Sequence, residues 1–161
     1  MRGYISIGSN IEKEIHIPAS LQALETHFGK LVLSSIYESE PVGFSGELFH
    51  NLIVRFESDL DVKTVAKQLR QMELDNGRTR ESQKFSSRTL DLDLILYGDL
   101  IISDGRLQIP RDEIERYAFV LEPLAEIAPL EPHPLSGISY GQLWENFDKS
   151  HLKQTKIPSA K

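Results

Sequence analysis

An α+β fold is predicted by three features of this 161-residue chain. Four stretches of strand length are apolar or alternate, at 3–8, 31–37, 51–58 and 90–97. Two stretches between them carry apolar residues at helical spacing, one after the first strand and one before the fourth. Their order, strand, helix, strand, strand, helix, strand, is the ferredoxin-like βαββαβ pattern, an antiparallel sheet with helices packed on one face.

The elements follow in turn. Gly3 to Gly8 forms the first strand. A helix opens near Ile17-Pro18, because proline suits a first turn. Leu21, Leu24 and Phe28 give that helix its apolar face and Gly29 its stop. Leu31 to Tyr37 is the second strand. Pro41, Gly43 and Gly46 make 38–49 a loop, and Asn51 to Ser58 the third strand. Asp61 caps the next helix, in which Val65, Leu69 and Met72 recur up to a stop at Gly77. Residues 78–89 are polar and basic and read as a loop. Leu90 to Tyr97 is the fourth strand, ending at Gly98. Beyond it the pattern gives a short hairpin around Leu100–Leu107, helical pieces near Phe119–Ile127 and Tyr140–Phe147, and a frayed tail over 152–161. With no repeat or long linker, residues 1–161 read as a single catalytic domain.

Composition narrows the function. An apolar share of 40% supports a core, and no run approaches the roughly 18 apolar residues of a membrane span. The chain has no cysteine, which excludes disulfides and thiolate chemistry. The N-terminus lacks a signal-peptide pattern, so the expected location is cytoplasmic. A net charge of −6 argues against nucleic-acid binding. The cations are clustered all the same: Arg70, Arg78, Arg80, Lys84 and Arg88 form one set, and Arg106, Arg111 and Arg116 another. A local positive field on an acidic protein suits a small polyanion.

The most informative stretch is Arg88-Thr89-Leu90-Asp91-Leu92-Asp93-Leu94-Ile95-Leu96. On a strand, Leu92, Leu94 and Leu96 share one face and Asp91 and Asp93 the other, with the aspartate Cα atoms about 6.5–7 Å apart. Like charges that close repel unless a cation intervenes. Magnesium takes oxygen ligands and bridges carboxylates to substrate phosphates, and two ions can share such a pair. For the pair alone, a strand face salt-bridged to arginines is the alternative. The arginine-rich segment directly before it favours the metal. No Walker loop follows the first strand, since Gly8-Ser9-Asn10 is too short to cradle a triphosphate.

At these residues the chain resembles the 6-hydroxymethyl-7,8-dihydropterin pyrophosphokinase family along nearly its whole length. The resemblance is carried by Tyr4-Ile5-Ser6-Ile7-Gly8-Ser9-Asn10, by Ser35-Ile36-Tyr37-Glu38-Ser39-Glu40-Pro41-Val42-Gly43 and by Phe49-His50-Asn51. Arg88 to Ile95 and Phe119-Val120-Leu121-Glu122-Pro123-Leu124 complete it. It implies transfer of pyrophosphate from ATP to the pterin hydroxymethyl oxygen in folate biosynthesis, with AMP released and two Mg ions held by Asp91 and Asp93. By the same resemblance, Asn51 hydrogen-bonds the pterin, Phe49 and Phe119 stack on its faces, and Ser39, Val42 and Phe85 line its pocket. Arg78, Arg80 and Arg88 act in catalysis on the phosphates. Glu73, Arg80, Lys84, Arg88, Arg106, Arg111 and Arg116 lie on the nucleotide side.

Stacking a flat heterocycle is worth about 1–3 kcal/mol per aromatic by analogy with nucleobases, and an amide partner supplies specificity. Two positions depart from the family pattern. Arg111 follows Pro110 where histidine is usual, and Tyr117 stands where arginine is usual, with Arg116 one residue earlier. The resulting reading is a monomeric pyrophosphokinase acting on ATP and a reduced pterin. Its rivals are a divergent paralogue acting on a related pterin and a pterin-binding module without catalysis.

Overall fold

Strand β1 (Arg2–Ser9) is buried at every residue from Gly3 onward, as a strand covered on both faces must be. The computed structural model describes residues 1–40, 47–76, 90–150 and 152–157. After β1 come α1 (Lys13–Phe28), β2 (Val32–Leu33), β3 (Ile36–Ser39), β4 (Phe49–Glu57) and α2 (Val62–Asp75). Then follow β5 (Asp91–Tyr97), β6 (Ile102–Asp104), β7 (Leu107–Ile109), α3 (Glu113–Arg116), α4 (Ala118–Ile127), α5 (Tyr140–Glu145) and β8 (Gln154–Ile157). The main sheet has the order β5-β1-β4-β3-β8, with β2 also on β4, and all its pairs are antiparallel. The βαββαβ core expected from the sequence is therefore present. Among the described residues no helix is long and apolar enough to cross a membrane.

The sheet is covered on both faces rather than one. One core joins Ile5, Ile7, Val54, Leu92 and Leu94 to Leu24 of α1 and Val65, Leu69 and Met72 of α2. The other joins Tyr4, Ile53, Ile95 and Leu96 to Ile114, Val120, Leu121, Leu124 and Tyr140. Leu96 thus leaves the face of Leu92 and Leu94. The β1–β5 register steps from Tyr4↔Leu96 to Ile5↔Leu94, so Ile95 is an extra residue in β5 and breaks the alternation.

Helix α1 begins at Lys13, earlier than expected, and Pro18 lies inside it. Proline there removes one bond, to the Glu14 carbonyl. The opening turn is secured by burial of Ile17 and by His16 Nδ1, 2.8 Å from Asn76 Oδ1 at the end of α2. Gly29 stops the helix with φ 81°. The second strand is split in two. Ser34 Oγ accepts the Ile53 amide at 2.9 Å, so a hydroxyl replaces a ladder carbonyl at the break. Asp61 caps α2 by accepting the Thr64 amide at 2.8 Å. The hairpin falls on β6 and β7 with Gly105 at φ 62°.

The tail is not frayed over 154–157. There β8 pairs with β3, and Ile157 packs against the first core. Ladder bonds together with one half-buried apolar side chain are enough to order a terminal strand.

Candidate functional site

One transverse row of the sheet organises the site. Asp91 stands opposite Gly8, Gly8 opposite Asn51, and Asn51 opposite Tyr37. Directly opposed residues of antiparallel strands share a face. Here it is the face covered by α4, since Tyr37 Oη donates to Glu126 of that helix at 2.9 Å. Gly8 leaves a gap between the carboxylate and the amide. A Cβ at Gly8 would lie 2.8 Å from Asn51 Oδ1, so only glycine lets the amide occupy that place. Asn51 is buried and its Nδ2 donates to Ser39 Oγ at 3.3 Å. Phe49, two residues before Asn51, shares its face.

Asp93 lies on the same face as Asp91, opposite Ser6. The apolar stripe of α2 presses that helix onto β5 and carries Glu73, next to Met72, into the interior, where it is 4% exposed. Strand β5 is an edge of the sheet, so its outward amides seek partners. Glu73 Oε2 accepts the Leu92 amide at 2.7 Å, and Glu73 Oε1 lies 3.6 Å from Arg70 Nη1. One oxygen each of Glu73, Asp91 and Asp93 lie within 4.8 Å of one another. Oxygens on one octahedral Mg ion, at about 2.0–2.1 Å from it, lie about 3–4 Å apart. The donor set is hard oxygen only, and its charges repel without a cation. Both points fit a divalent metal.

The cationic side is built on β7 and the two helices that follow. The Arg111 amide donates to Ile95 O at 3.1 Å, which anchors it beside β5. Its guanidinium grips Glu113 in two places, Nη2 to Oε2 at 2.6 Å and Nε to Oε1 at 3.3 Å. Burial opposes ionisation of Glu113, but the Arg111 hydrogen bonds outweigh it and hold the carboxyl well below its usual range. Burial likewise disfavours the Arg111 charge, while Glu113 and, more weakly, Asp93 support it. Arg116 is exposed and pairs with Asp112 at 3.1 Å. Its Nη2 also donates to Tyr117 Oη at 3.3 Å, and its guanidinium lies 5.2 Å from the Tyr117 ring centre. Tyr117 in turn stacks on Phe119, centroids 5.0 Å apart and planes at 15°. Arg106 is exposed in the hairpin turn.

The model of the family described as 7,8-dihydro-6-hydroxymethylpterin-pyrophosphokinase (HPPK) matches residues 4–129. The chain belongs to this pyrophosphokinase family. A 2-amino-4-hydroxy-6-hydroxymethyldihydropteridine pyrophosphokinase of Haemophilus influenzae is 35% identical over 131 residues, which is 78% of this chain and 80% of that one. A folic acid synthesis protein of Pneumocystis carinii is 32% identical over 155 residues, 93% of this chain and 20% of that much longer one. A crystal structure of HPPK-DHPS in complex with substrates superposes with a TM-score of 0.75 at 13% identity. It covers 96% of this chain, which spans 46% of that one, so this likeness bears on the fold.

Every member of the row and of the carboxylate cluster lies inside the pyrophosphokinase match. Of the residues expected at the site, Ser39, Phe49, Asn51, Asp91 and Asp93 lie together at one end of the sheet. Glu73, expected beside the nucleotide, lies with the two aspartates. Phe119 opens α4 on the covering layer. Arg111 meets Asp93 electrostatically, whereas Arg116 and Arg106 lie out on the surface. Val42, Arg78, Arg80, Lys84, Phe85 and Arg88 lie outside the described residues. Sequence reasoning did not place Glu73 with the two aspartates, although a glutamate next to Met72 on an apolar helical face signals a buried charge in need of a partner. It missed Glu113 as well, whose partner two residues away is visible only in the folded turn.

Proposed function

We propose that this chain is a single catalytic domain that transfers pyrophosphate from ATP to the hydroxymethyl group of 6-hydroxymethyl-7,8-dihydropterin in folate biosynthesis. Supporting this reading above all is the row in which Asp91 and Asn51 flank Gly8, a metal-binding end and an amide-bearing end on one sheet face. The hydroxymethyl oxygen forms a bond to the β phosphorus of ATP. The bond from that phosphorus to the α,β-bridging oxygen breaks, AMP leaves with the electron pair, and the alcohol proton passes to water. Magnesium bound at Glu73, Asp91 and Asp93 would supply charge neutralisation to the phosphates.

The protein's own groups do the rest. Asn51 and Ser39 give hydrogen bonds to the pterin edge, Phe49 and Phe119 hold its faces, and Arg111 offers positive charge beside Asp93. Such a transfer needs positioning and electrostatic support more than covalent help from the protein. The proposal takes the enzyme to act as a monomer in the cytoplasm. An assay with ATP and several reduced pterins tests it. The expected product is AMP with the pterin diphosphate; ADP, or no turnover with any reduced pterin, overturns it.

A further inference from the structure

Strand β8 lies beyond the family match, which ends at residue 129. Its first residue, Gln154, stands opposite Ser39 in the β3–β8 ladder. Ser39 stands opposite Phe49 and accepts the Asn51 side-chain amide. Gln154 is thus one strand away from the wall that carries Phe49 and Asn51. Its side chain, half-buried, reaches the other wall. Nε2 donates to Ala118 O at 3.1 Å and to Glu122 Oε1 at 2.7 Å, so both hydrogens of one amide are spent on the opening of α4, at its first residue and one turn on.

That turn needs the support. Its N-cap, Tyr117, makes no capping bond through its side chain. Pro123 lies inside the helix and has no N–H to give the Phe119 carbonyl. The segment bearing the stacking ring is therefore held weakly from within and tied from outside by Gln154.

We propose that Gln154 is a positioning residue, through which β8 straps the start of α4 to the sheet and sets the Phe119 ring relative to Phe49 and Asn51. The proposal rests on the pterin reading above. Gln154 touches neither substrate, so its effect falls on acceptor affinity and not on the phosphates.

Four variants of the full chain test it. Gln154→Leu removes the donors, Gln154→Glu turns a carboxylate on Glu122, Gln154→Lys restores a donor, and Thr155→Val alters an exposed neighbour in the same strand. If the equivalent of about one net hydrogen bond is felt at the pterin, its KM rises about 3–10-fold, the result expected for the Leu and Glu variants. The KM for ATP and kcat stay unchanged, and amide exchange over 118–122 speeds up without ligand. Gln154→Lys recovers affinity, and Thr155→Val changes nothing. Unaltered pterin KM in both the Leu and Glu variants overturns the proposal, whether or not exchange accelerates. An equal rise in the KM for ATP overturns it too, since that would reflect general loosening. If the unaltered chain binds no pterin, the functional reading falls and the positioning role with it, while the exchange data still report whether Gln154 straps α4.

Discussion

The Glu73 carboxylate takes the backbone amide of Leu92 at 2.7 Å, pinning α2 to the strand between its two aspartates. One side chain therefore serves both the fold and the carboxylate cluster, and the two roles separate by substitution. Glu73→Gln keeps an acceptor for the amide but removes the charge. It should leave Tm nearly unchanged and weaken Mg binding by about 10–100-fold, the range seen when ligand surroundings are altered. Glu73→Ala should lose both. Calorimetric titration with Mg alone checks this, and unchanged affinity in Glu73→Gln would remove Glu73 from the metal set.

Asp91→Ala and Asp93→Ala should each lower turnover by several orders of magnitude with the fold retained, because in the proposed reaction each supplies a hard-oxygen ligand for the magnesium that neutralises the phosphates. Circular dichroism and AMP release, measured together at saturating Mg, read the two effects apart.

Gly8→Ala should push the Asn51 amide out of place, since the new methyl would stand 2.8 Å from its oxygen. Loss of one buried hydrogen bond, about 1–2 kcal/mol, predicts an increase of about 5–30-fold in pterin Kd. Fluorescence titration with the pterin measures it, and ATP affinity should hold.

The Arg111–Glu113 pair gives a pH prediction with a definite sign. The folded-state pKa of Glu113 is depressed, so its contribution to stability is present above the ordinary glutamate value of about 4.3 and is lost as pH falls through the folded value. Glu113→Gln should cost about 1–3 kcal/mol at neutral pH and flatten the acid limb of a plot of Tm against pH. An unchanged slope between pH 5 and 2, both about the range where carboxylates titrate, would count against the pair.

At Tyr117 the stacked arrangement makes two kinetic parameters move in opposite directions. Tyr117→Arg should raise kcat/KM for ATP about fivefold, through a charge-assisted bond to phosphate. It should also raise the KM for the pterin, because Phe119 loses its stacking neighbour. Arg116→Ala should lower kcat/KM for ATP in the native background, and the two changes should be non-additive, as both act on one corner. If ATP kinetics ignore both substitutions, this corner does not meet the nucleotide.

The parts of the fold that could be read from sequence were those set by local rules. The Asp61 cap, the Gly29 stop and the apolar phase of Leu92 and Leu94 are properties of a few neighbouring residues. Where distant residues intervene, the reading fails. Ser34 breaks a strand only because the Ile53 amide is there to donate to its hydroxyl oxygen, and Gln154 orders a tail only because Ala118 and Glu122 accept its amide. At the site, Asp91, Asp93 and Asn51 were legible through motif and spacing. That Glu73 would lie beside the two aspartates was not legible, because the pressing of α2 onto β5 is not encoded in either segment alone.

The extra residue in β5 has a consequence for length changes in this strand. Because Ile95 is counted out of the pairing, a chain lacking it would keep Leu94 and Tyr97 turned to one core and Leu96 to the other, while Asp91 and Asp93 held their orientation. A deletion one turn of the pleat earlier, at Leu92, would instead reverse one aspartate. Yet Ile95 also lends its carbonyl to the Arg111 amide, and bulges are found where a strand re-aims its surroundings. Removing that single residue should therefore leave the two aspartates facing as they do, while taking one buried side chain from the second core and displacing the cation beside them.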